Sequence, residues 1–405
     1  MARAHPSMAD PAADAASLLR RVGFTILMTV VPLTALVTRR SVVVLAPVGI
    51  VLLILSAALD GGRRPVRESL RQTLLAPGGL AGALVLGWCI LSLVWTPFLA
   101  QASERLVNLV GLALVMMAGY LALPERMRSA NLYILPVGVA LAALCAMLLA
   151  FLGMRGKASP EDTQNLDRGL IVLVLFLWPA VGWLRSRGRH IEALLLALLV
   201  ALATVMAPHP MPLQALAAGA VVFAVAAISP RGGTALTAFV IAGLLLFAPV
   251  LPFIGAPLAK ALLGAGDPVV GSLEVWRSVV INEPVRLITG HGFETALRGR
   301  TVGLLSPQAP ITVLFEMWYE LGFIGAVAAS FGLYRAVHRT GEGHALLVPA
   351  SMAAFSTAFA FACLGIGTAQ IWWFTALAVV VLLFVAAERG QFRTTRPKAT
   401  LRRVR

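Results

Sequence analysis

Long apolar runs separated by short polar segments dominate the chain from residue 22 onward. A helix needs about 20 apolar residues to cross the hydrocarbon core of a bilayer, so each run of that length predicts a membrane-spanning α-helix. Twelve runs meet this description, at residues 22–38, 41–60, 74–95, 105–123, 131–153, 169–184, 190–207, 211–228, 234–257, 312–334, 345–366 and 369–387. The pattern therefore predicts an all-α, polytopic membrane protein with a single transmembrane domain over residues 22–388.

The distribution of basic residues predicts the orientation of these spans. Cytoplasmic loops of membrane proteins are enriched in Lys and Arg. With the N-terminus inside, the cytoplasmic segments hold 22 of the 33 Lys and Arg residues and the outer segments hold 11. We therefore expect a cytoplasmic N-terminal segment over residues 1–21 and a basic cytoplasmic tail over residues 389–405. The longest outer loop, residues 257–310, precedes the tenth span.

Composition agrees with a lipid environment. Hydrophobic residues make up 59% of the chain, charged residues 13%, and the mean hydropathy is +0.87. This is more apolar surface than one soluble core would bury. The net charge of +15 collects in short loops, which is explained by membrane orientation and gives no reason to expect a nucleic-acid partner. All three cysteines fall within apolar runs and are predicted to be small buried residues.

Two outer segments carry most of the candidate chemistry. The shorter, residues 153–168, is polar and ends with Arg168 at the start of the next predicted helix. The longer, residues 257–310, contains SLEVWRSVVINEP, whose apolar residues at helical spacing predict a helix at the membrane surface that stops at Pro284. Arginines at such a face suit an anionic diphosphate, which a guanidinium can bind bidentately.

Ionisable residues are scarce inside the predicted spans. Glu316 and Glu320 are the main exceptions, four residues apart near the outer end of the tenth span. The scarcity of ionisable residues inside the spans argues against an ion-coupled transporter, which needs such groups in the membrane interior. The motifs HExxH and the P-loop are absent from the sequence, as is a cysteine cluster, so neither a metal nor another cofactor is predicted.

Several short motifs, taken in order, resemble the O-antigen ligase and polymerase superfamily. They are LSLVWTP at 91–97, the basic helix start at Glu104 and Arg105, LDRGLIVLVLFLWPA at 166–180, LEVW at 273–276, NEP followed by Gly290-His291-Gly292-Phe293, and FEMWYELGFIGA at 315–326. The resemblance implies a twelve-span protein of the bacterial inner membrane that transfers a polyprenyl-diphosphate-linked glycan on the periplasmic side. It also implies membrane lipids as partners and lipid A-core or a growing polysaccharide as acceptor.

The resemblance further implies roles for individual residues. Family members use arginines to hold the diphosphate and a histidine to deprotonate the attacking hydroxyl, without a metal. Arg168 matches the family's arginine at a helix start. Two positions depart from the pattern, because Ser272 replaces an arginine and Ile311 stands where the histidine is expected.

The resulting hypothesis is a metal-independent membrane glycosyltransferase. Arg168, assisted by Arg277 and Arg286, would bind the diphosphate, and His291, Glu316 or Glu320 would replace the missing histidine. The departures at Ser272 and Ile311 motivate an alternative, a catalytically degenerate homologue that binds lipid-linked glycan or scaffolds polysaccharide export. A transporter or flippase is a third reading.

Overall fold

The computed structural model describes residues 11–38, 40–60, 77–125, 127, 129–156 and 159–391. All regular secondary structure in these ranges is helical. The main helices are α1 (Pro11–Ala35, with a π-helical turn at Ile26–Val30), α2 (Ser41–Leu59), α3 (Pro77–Ser92), α4 (Leu99–Ala122), α5 (Ile134–Met154), α6 (Pro160–Ser186), α7 (His190–Val205), α8 (Met211–Ile228), α9 (Pro230–Leu246), α10 (Leu251–Leu263), α11 (Pro268–Asn282), α12 (Thr295–Val302), α13 (Val313–Gly341), α14 (Val348–Leu364) and α15 (Ile371–Arg389).

Many of these helices are long and apolar enough to cross a membrane. By length and composition, eight of the described helices qualify, or nine if α9 and the following bent helix form one broken span. Three more, within α3, α7 and α14, are apolar but shorter. The all-helical, multi-pass prediction is thus confirmed, and the twelve-span plan stays a prediction.

The start of helix α6 differs from the prediction because a helix-capping motif was not recognised in the sequence. Helix α6 begins at Pro160, so the second half of the predicted polar loop 153–168 is helical. The cause is a capping box, in which the Ser159 hydroxyl accepts from the Asp162 N–H and the Asp162 carboxylate accepts from the Ser159 N–H. Arg168 consequently lies about two turns inside the helix rather than at its start.

The two predicted extramembrane ends lie partly outside the described residues. Helix α1 already begins at Pro11, within the segment 1–21 that we expected to precede the first span. Residues 1–10 of the predicted N-terminal segment lie outside the described residues. In the predicted tail 389–405, Arg389 ends α15 and residues 392–405 lie outside the described part of the chain.

The predicted ninth span ends earlier than the apolar pattern suggests. Helices α9 and α10 meet at a bend of 64° around Phe247 and a single 3₁₀ turn, so the chain changes direction before residue 257. Pro249 and Pro252 follow the bend, and proline favours the start of a new helix over the continuation of an old one. The segment after the bend is mostly helical, and α11 confirms the helix predicted before Pro284.

Helix α6 forms the centre of the helix bundle. Almost all of its apolar stretch is buried, against α5, α7, α14 and α15. Its Trp178 donates a 2.8 Å hydrogen bond to the Thr357 hydroxyl, which satisfies both polar groups in an apolar core. Neighbouring helices approach closely at glycines such as Gly138 on α5, where a Cβ would lie 2.2 Å from the Met28 carbonyl oxygen.

Contacts between helix ends fall into two groups. One group joins the chain near Val37 and His209 to the start of α6, and the chain near Thr96 to the segment before α12. The other joins the ends of α4, α6 and α15: the Arg389 guanidinium donates to the Leu123 carbonyl at 2.5 Å, and the Gln391 amide donates to the Ser186 hydroxyl at 2.8 Å. These contacts place the C-terminal ends of α4, α6 and α15 together at one end of the bundle.

Close packing at Gly138 makes a stability prediction. Gly138→Ala places a methyl group against the backbone of α1, and we expect it to lower the free energy of unfolding by about 1–3 kcal/mol through overpacking. The matched control is Gly111→Ala in α4, where the added Cβ meets no atom within 4 Å. Thermal unfolding in detergent should show a lower Tm for Gly138→Ala only. Equal Tm values for the two variants would contradict this packing.

Candidate functional site

A break in helix α13 organises the end of the bundle that carries the candidate residues. Gly322 has φ 63° and ψ −162°, outside the helical range. Carbonyls just before the break accept hydrogen bonds from other parts of the chain, a common way to satisfy polar backbone in a membrane protein. The pairs are His291 N to Tyr319 O at 2.8 Å, Gly292 N to Glu320 O at 3.0 Å, and Trp88 Nε1 to Leu321 O at 2.8 Å.

The segment Gly290-His291-Gly292 fits between this break and Thr96 because two of its residues lack side chains. Gly290 and Gly292 have φ of 74° and 104°, a region that favours glycine. A Cβ on Gly290 would lie 2.2 Å from the Glu320 carbonyl oxygen, and one on Gly292 would lie 2.7 Å from Thr96 Cα. The backbone requirement at both glycines fixes the position of the histidine between them.

Both ring nitrogens of His291 have partners. Nδ1 lies 3.0 Å from the Tyr319 carbonyl oxygen, and Nε2 lies 2.5 Å from Glu283 Oε2. A carbonyl can only accept, so Nδ1 carries a proton and Nε2 faces the carboxylate. The imidazole ring also stacks on the Tyr319 ring at 4.0 Å between centroids. His291 is thus held in place, and the half-exposed Glu283 carboxylate is the more accessible member of the pair.

A first cavity, only about 10 Å³ in volume, borders this pair. Glu283, Arg286, His291 and Tyr319 contribute its polar groups, and apolar residues of α11 and α13, including Trp276 and Phe315, line the rest. Arg286 belongs to a short helical turn, Arg286–Thr289, and is exposed. The cavity therefore combines a carboxylate and imidazole that can exchange a proton with a cation that can bind an anion.

Glu320 belongs to a buried ion-pair network with α4 and the start of α12. Arg105 Nη1 lies 2.6 Å from Glu294 Oε2 and 3.5 Å from Glu320 Oε2, and its guanidinium lies 4.3 Å from the Phe293 ring centroid. The second Glu320 oxygen accepts from the Ala296 N–H at 3.2 Å. Glu294 adopts a left-handed φ of 71°, a strained conformation for a residue with a side chain.

Glu316 occupies a second buried ion pair. Its Oε1 lies 3.0 Å from Arg300 Nη1, while Oε2 accepts from the Thr368 N–H at 2.5 Å and the Thr368 hydroxyl at 2.9 Å. Arg300 also donates to the Pro310 carbonyl at 2.5 Å. Glu316 is only 2% exposed. It therefore ties α13 to α12 and to the connection before α15.

A second cavity of about 210 Å³ lies on the other side of this network. It is bounded by α4, by α12 and the residue before it, and by the start of α15. Its lining residues are Gln101, Glu104, Arg105, Asn108, Leu109, Glu294, Leu297, Arg298, Thr368, Ala369, Ile371 and Phe374.

The structure brings some of the predicted site residues together and separates others. His291 and Arg286 share the first cavity, whereas Arg277 is exposed on α11 with its guanidinium 5.4 Å from the Phe253 ring centroid. Glu316 and Glu320 are both engaged in ion pairs, and their catalytic role stays a prediction. Arg168 lines neither cavity.

The two positions that depart from the family pattern are also placed. The Ser272 hydroxyl donates to the Gln308 carbonyl at 2.8 Å, and Ile311 is 50% exposed. Among the described residues, no group of three or more His, Cys, Asp and Glu side chains could hold a metal ion.

Sequence reasoning missed the pairing of four charged residues at this end of the bundle. Glu283 was noted only as part of the NEP motif, and Arg105 was noted only as part of a helix start. Glu294 and Arg300 belonged to a segment expected to be a loop. The available signal was the presence of Glu316 and Glu320 in an apolar helix, because buried carboxylates require cationic partners somewhere in the chain.

Comparison with known proteins does not assign the chain to a family. No family model matches the sequence, and a search of curated proteins finds no match.

The buried network makes a second stability prediction. Arg105→Met leaves Glu294 and Glu320 without this cation, and we expect the free energy of unfolding to fall by about 3–5 kcal/mol. The matched control is Arg189→Met, which removes a solvent-exposed i,i+3 pair with Glu192 and should leave the free energy of unfolding nearly unchanged. Denaturant unfolding in detergent measures both. Similar, small losses in both variants would show that the Arg105 network does not stabilise the fold.

Proposed function

We propose that this protein is a metal-independent glycosyltransferase of the bacterial inner membrane, acting on a polyprenyl-diphosphate-linked glycan. The observation that carries the proposal is the Glu283–His291 pair beside Arg286, in one cavity at one end of an apolar helix bundle. A group that accepts a proton and a group that stabilises an anionic leaving group are the two requirements of this reaction.

The arrangement of helix ends supports a twelve-span topology with cytoplasmic termini. Contacts near Val37, Thr96 and His209 involve segments that the charge bias assigns to the outer side. Contacts around Leu123 and Arg389 involve segments that it assigns to the cytoplasmic side. Under this topology, the segment 257–310 and its first cavity face the periplasm, where lipid-linked glycans are available.

The proposed reaction assigns roles to three polar residues of the first cavity. An acceptor hydroxyl oxygen attacks the anomeric carbon of the lipid-linked sugar, and its proton passes to the Glu283–His291 pair. The bond between the anomeric carbon and the diphosphate oxygen breaks, with inversion at that carbon. Arg286 stabilises the charge on the released polyprenyl diphosphate. Arg277 and Arg168 lie outside this cavity, and their supporting roles rest on the family resemblance alone. The acceptor is a lipid A-core or a growing polysaccharide.

The second candidate function is a non-catalytic homologue that binds lipid-linked glycan or scaffolds polysaccharide export. Two observations favour it. Ile311 is exposed where the resemblance expects a histidine, and the Ser272 hydroxyl is occupied by the Gln308 carbonyl where an arginine is expected. Glu316 and Glu320 are neutralised by ion pairs, which leaves Glu283–His291 as the remaining candidate base.

The transfer reaction is tested by Glu283→Gln in purified protein. With a short polyprenyl-diphosphate-linked glycan and an acceptor glycan, we expect the unaltered protein to release polyprenyl diphosphate. Glu283→Gln should lower the rate by about 10²- to 10⁴-fold, the range for loss of a general base. Glu274→Gln, a substitution of an exposed glutamate on α11, is the matched control and should retain the rate. Equal rates for Glu283→Gln and the control would exclude Glu283 as the base.

The two candidate functions are distinguished by restoring the family residues. If the chain is a degenerate homologue, the unaltered protein has no transfer activity, and Ile311→His with Ser272→Arg should create it. If the chain is a transferase, the unaltered protein is active and Arg168→Ala should reduce surface glycan in a strain that depends on this gene. Robust activity in the unaltered protein would rule out the degenerate homologue, and unchanged glycan in Arg168→Ala would exclude a role for Arg168.

A further inference from the structure

Helix α4 carries a polar stripe that the transfer reaction does not use. Gln101, Glu104, Arg105 and Asn108 are spaced at i, i+3, i+4 and i+7, so they lie on one face of the helix. The opposite face is apolar and exposed, with Leu99, Val107 and Leu114 from 57% to 69% exposed. Polar side chains are unfavourable in contact with lipid, so the stripe requires a polar environment. The second cavity provides it.

The charges that line this cavity balance one another. Glu104 and Glu294 are negative, and Arg105 and Arg298 are positive. Arg105 is already paired with Glu294 at 2.6 Å and with Glu320 at 3.5 Å. An anionic diphosphate would find no excess of positive charge here, in contrast to the neighbourhood of Arg286 and Arg277. The cavity therefore favours a ligand without net charge.

The hydrogen-bonding groups of the cavity are varied. Gln101 and Asn108 each present an amide that both donates and accepts. Arg298 is 42% exposed, its Nε lies 3.5 Å from Glu294 Oε1, and that Nε is buried without a hydrogen-bond partner. Apolar residues, among them Leu297 and Phe374, complete the wall. Clustered donors and acceptors beside an aromatic ring suit a sugar, whose hydroxyls do both and whose C–H face is apolar.

The geometry points to the second cavity as a binding site for a neutral sugar residue of a glycan, held by Gln101, Asn108 and Arg298. This assignment rests on the proposed function for its substrate class. The two cavities flank the first turns of α13, because Tyr319 lines the first and Glu320 binds Arg105 beside the second. Under this assignment, a glycan with one sugar in the second cavity has to extend past the first turns of α13 to bring its reacting group near Glu283 and His291.

The assignment is tested by the combined variant Gln101→Leu with Asn108→Leu. Saturation-transfer NMR on purified protein in detergent measures binding of soluble neutral disaccharides of hexoses and N-acetylhexosamines, and of the repeat-unit oligosaccharide released by mild acid from the lipid-linked glycan. We expect the double variant to weaken binding by about tenfold, since it removes several hydrogen bonds. The matched control is Val107→Ala on the apolar face of α4, which should bind as the unaltered protein does. A Tm within a few degrees of the unaltered protein confirms that each variant is folded.

Three outcomes would overturn the assignment. They are failure of the unaltered protein to bind any of these oligosaccharides, equal weakening by Val107→Ala, and displacement of the oligosaccharide by inorganic pyrophosphate from this cavity. In the transfer assay, a higher KM for the lipid-linked glycan alone identifies the donor sugar as the ligand, and a higher KM for the acceptor alone identifies the acceptor. Oligosaccharide binding without release of polyprenyl diphosphate would refute the transfer reaction and leave the binding site standing.

Discussion

Buried carboxylates can persist in an apolar bundle only with cationic partners, and that constraint shapes the end of this molecule where its candidate chemistry lies. Glu316 and Glu320 project from the first turns of α13, and Arg300 and Arg105 neutralise them from α12 and α4. Arg105 comes from a distant part of the chain, 215 residues before Glu320, whereas Arg300 lies in α12, 16 residues before Glu316. Together the two ion pairs attach the segment between α10 and α13 to the bundle. Removing one partner of such a pair leaves an uncompensated charge, which costs far more than an exposed ion pair contributes.

A second constraint acts at the other face of the same helix. The break at Gly322 leaves carbonyls that must be satisfied, and the backbone N–H groups of His291 and Gly292 provide the hydrogen bonds. Backbone hydrogen bonds to α13 therefore hold His291 in position. Its imidazole Nε2 lies 2.5 Å from Glu283 Oε2 and orients that carboxylate. The first turns of α13 lie between two groups of residues, the Glu283–His291 pair with the exposed Arg286 and the lining of the second cavity, which carries charges of both signs.

The sequence predicted the helical class and the multi-pass character because hydrocarbon requires long apolar runs, which are visible without a structure. It located Glu316, Glu320, Arg286 and His291 at one end of the bundle. The sequence did not predict the charged partners of these residues. Arg105 pairs with Glu294, and Glu294 belongs to a segment that the sequence analysis assigned to a loop. Two local features were not predicted. The capping box at Ser159 lies in a polar segment, which the sequence analysis assigned to a loop. The bend near Phe247 lies in a long apolar run, which it assigned to one span.

The ion pair between Arg300 and Glu316 is tested most directly by a double-mutant cycle. The free energy of unfolding is measured in detergent for the unaltered protein, Arg300→Met, Glu316→Gln and the double variant. Each single variant should be strongly destabilised, and the double variant should lose less than their sum, which corresponds to a coupling energy of about 2 kcal/mol. A coupling energy indistinguishable from zero would contradict the view that buried ion pairs hold this end of the molecule together.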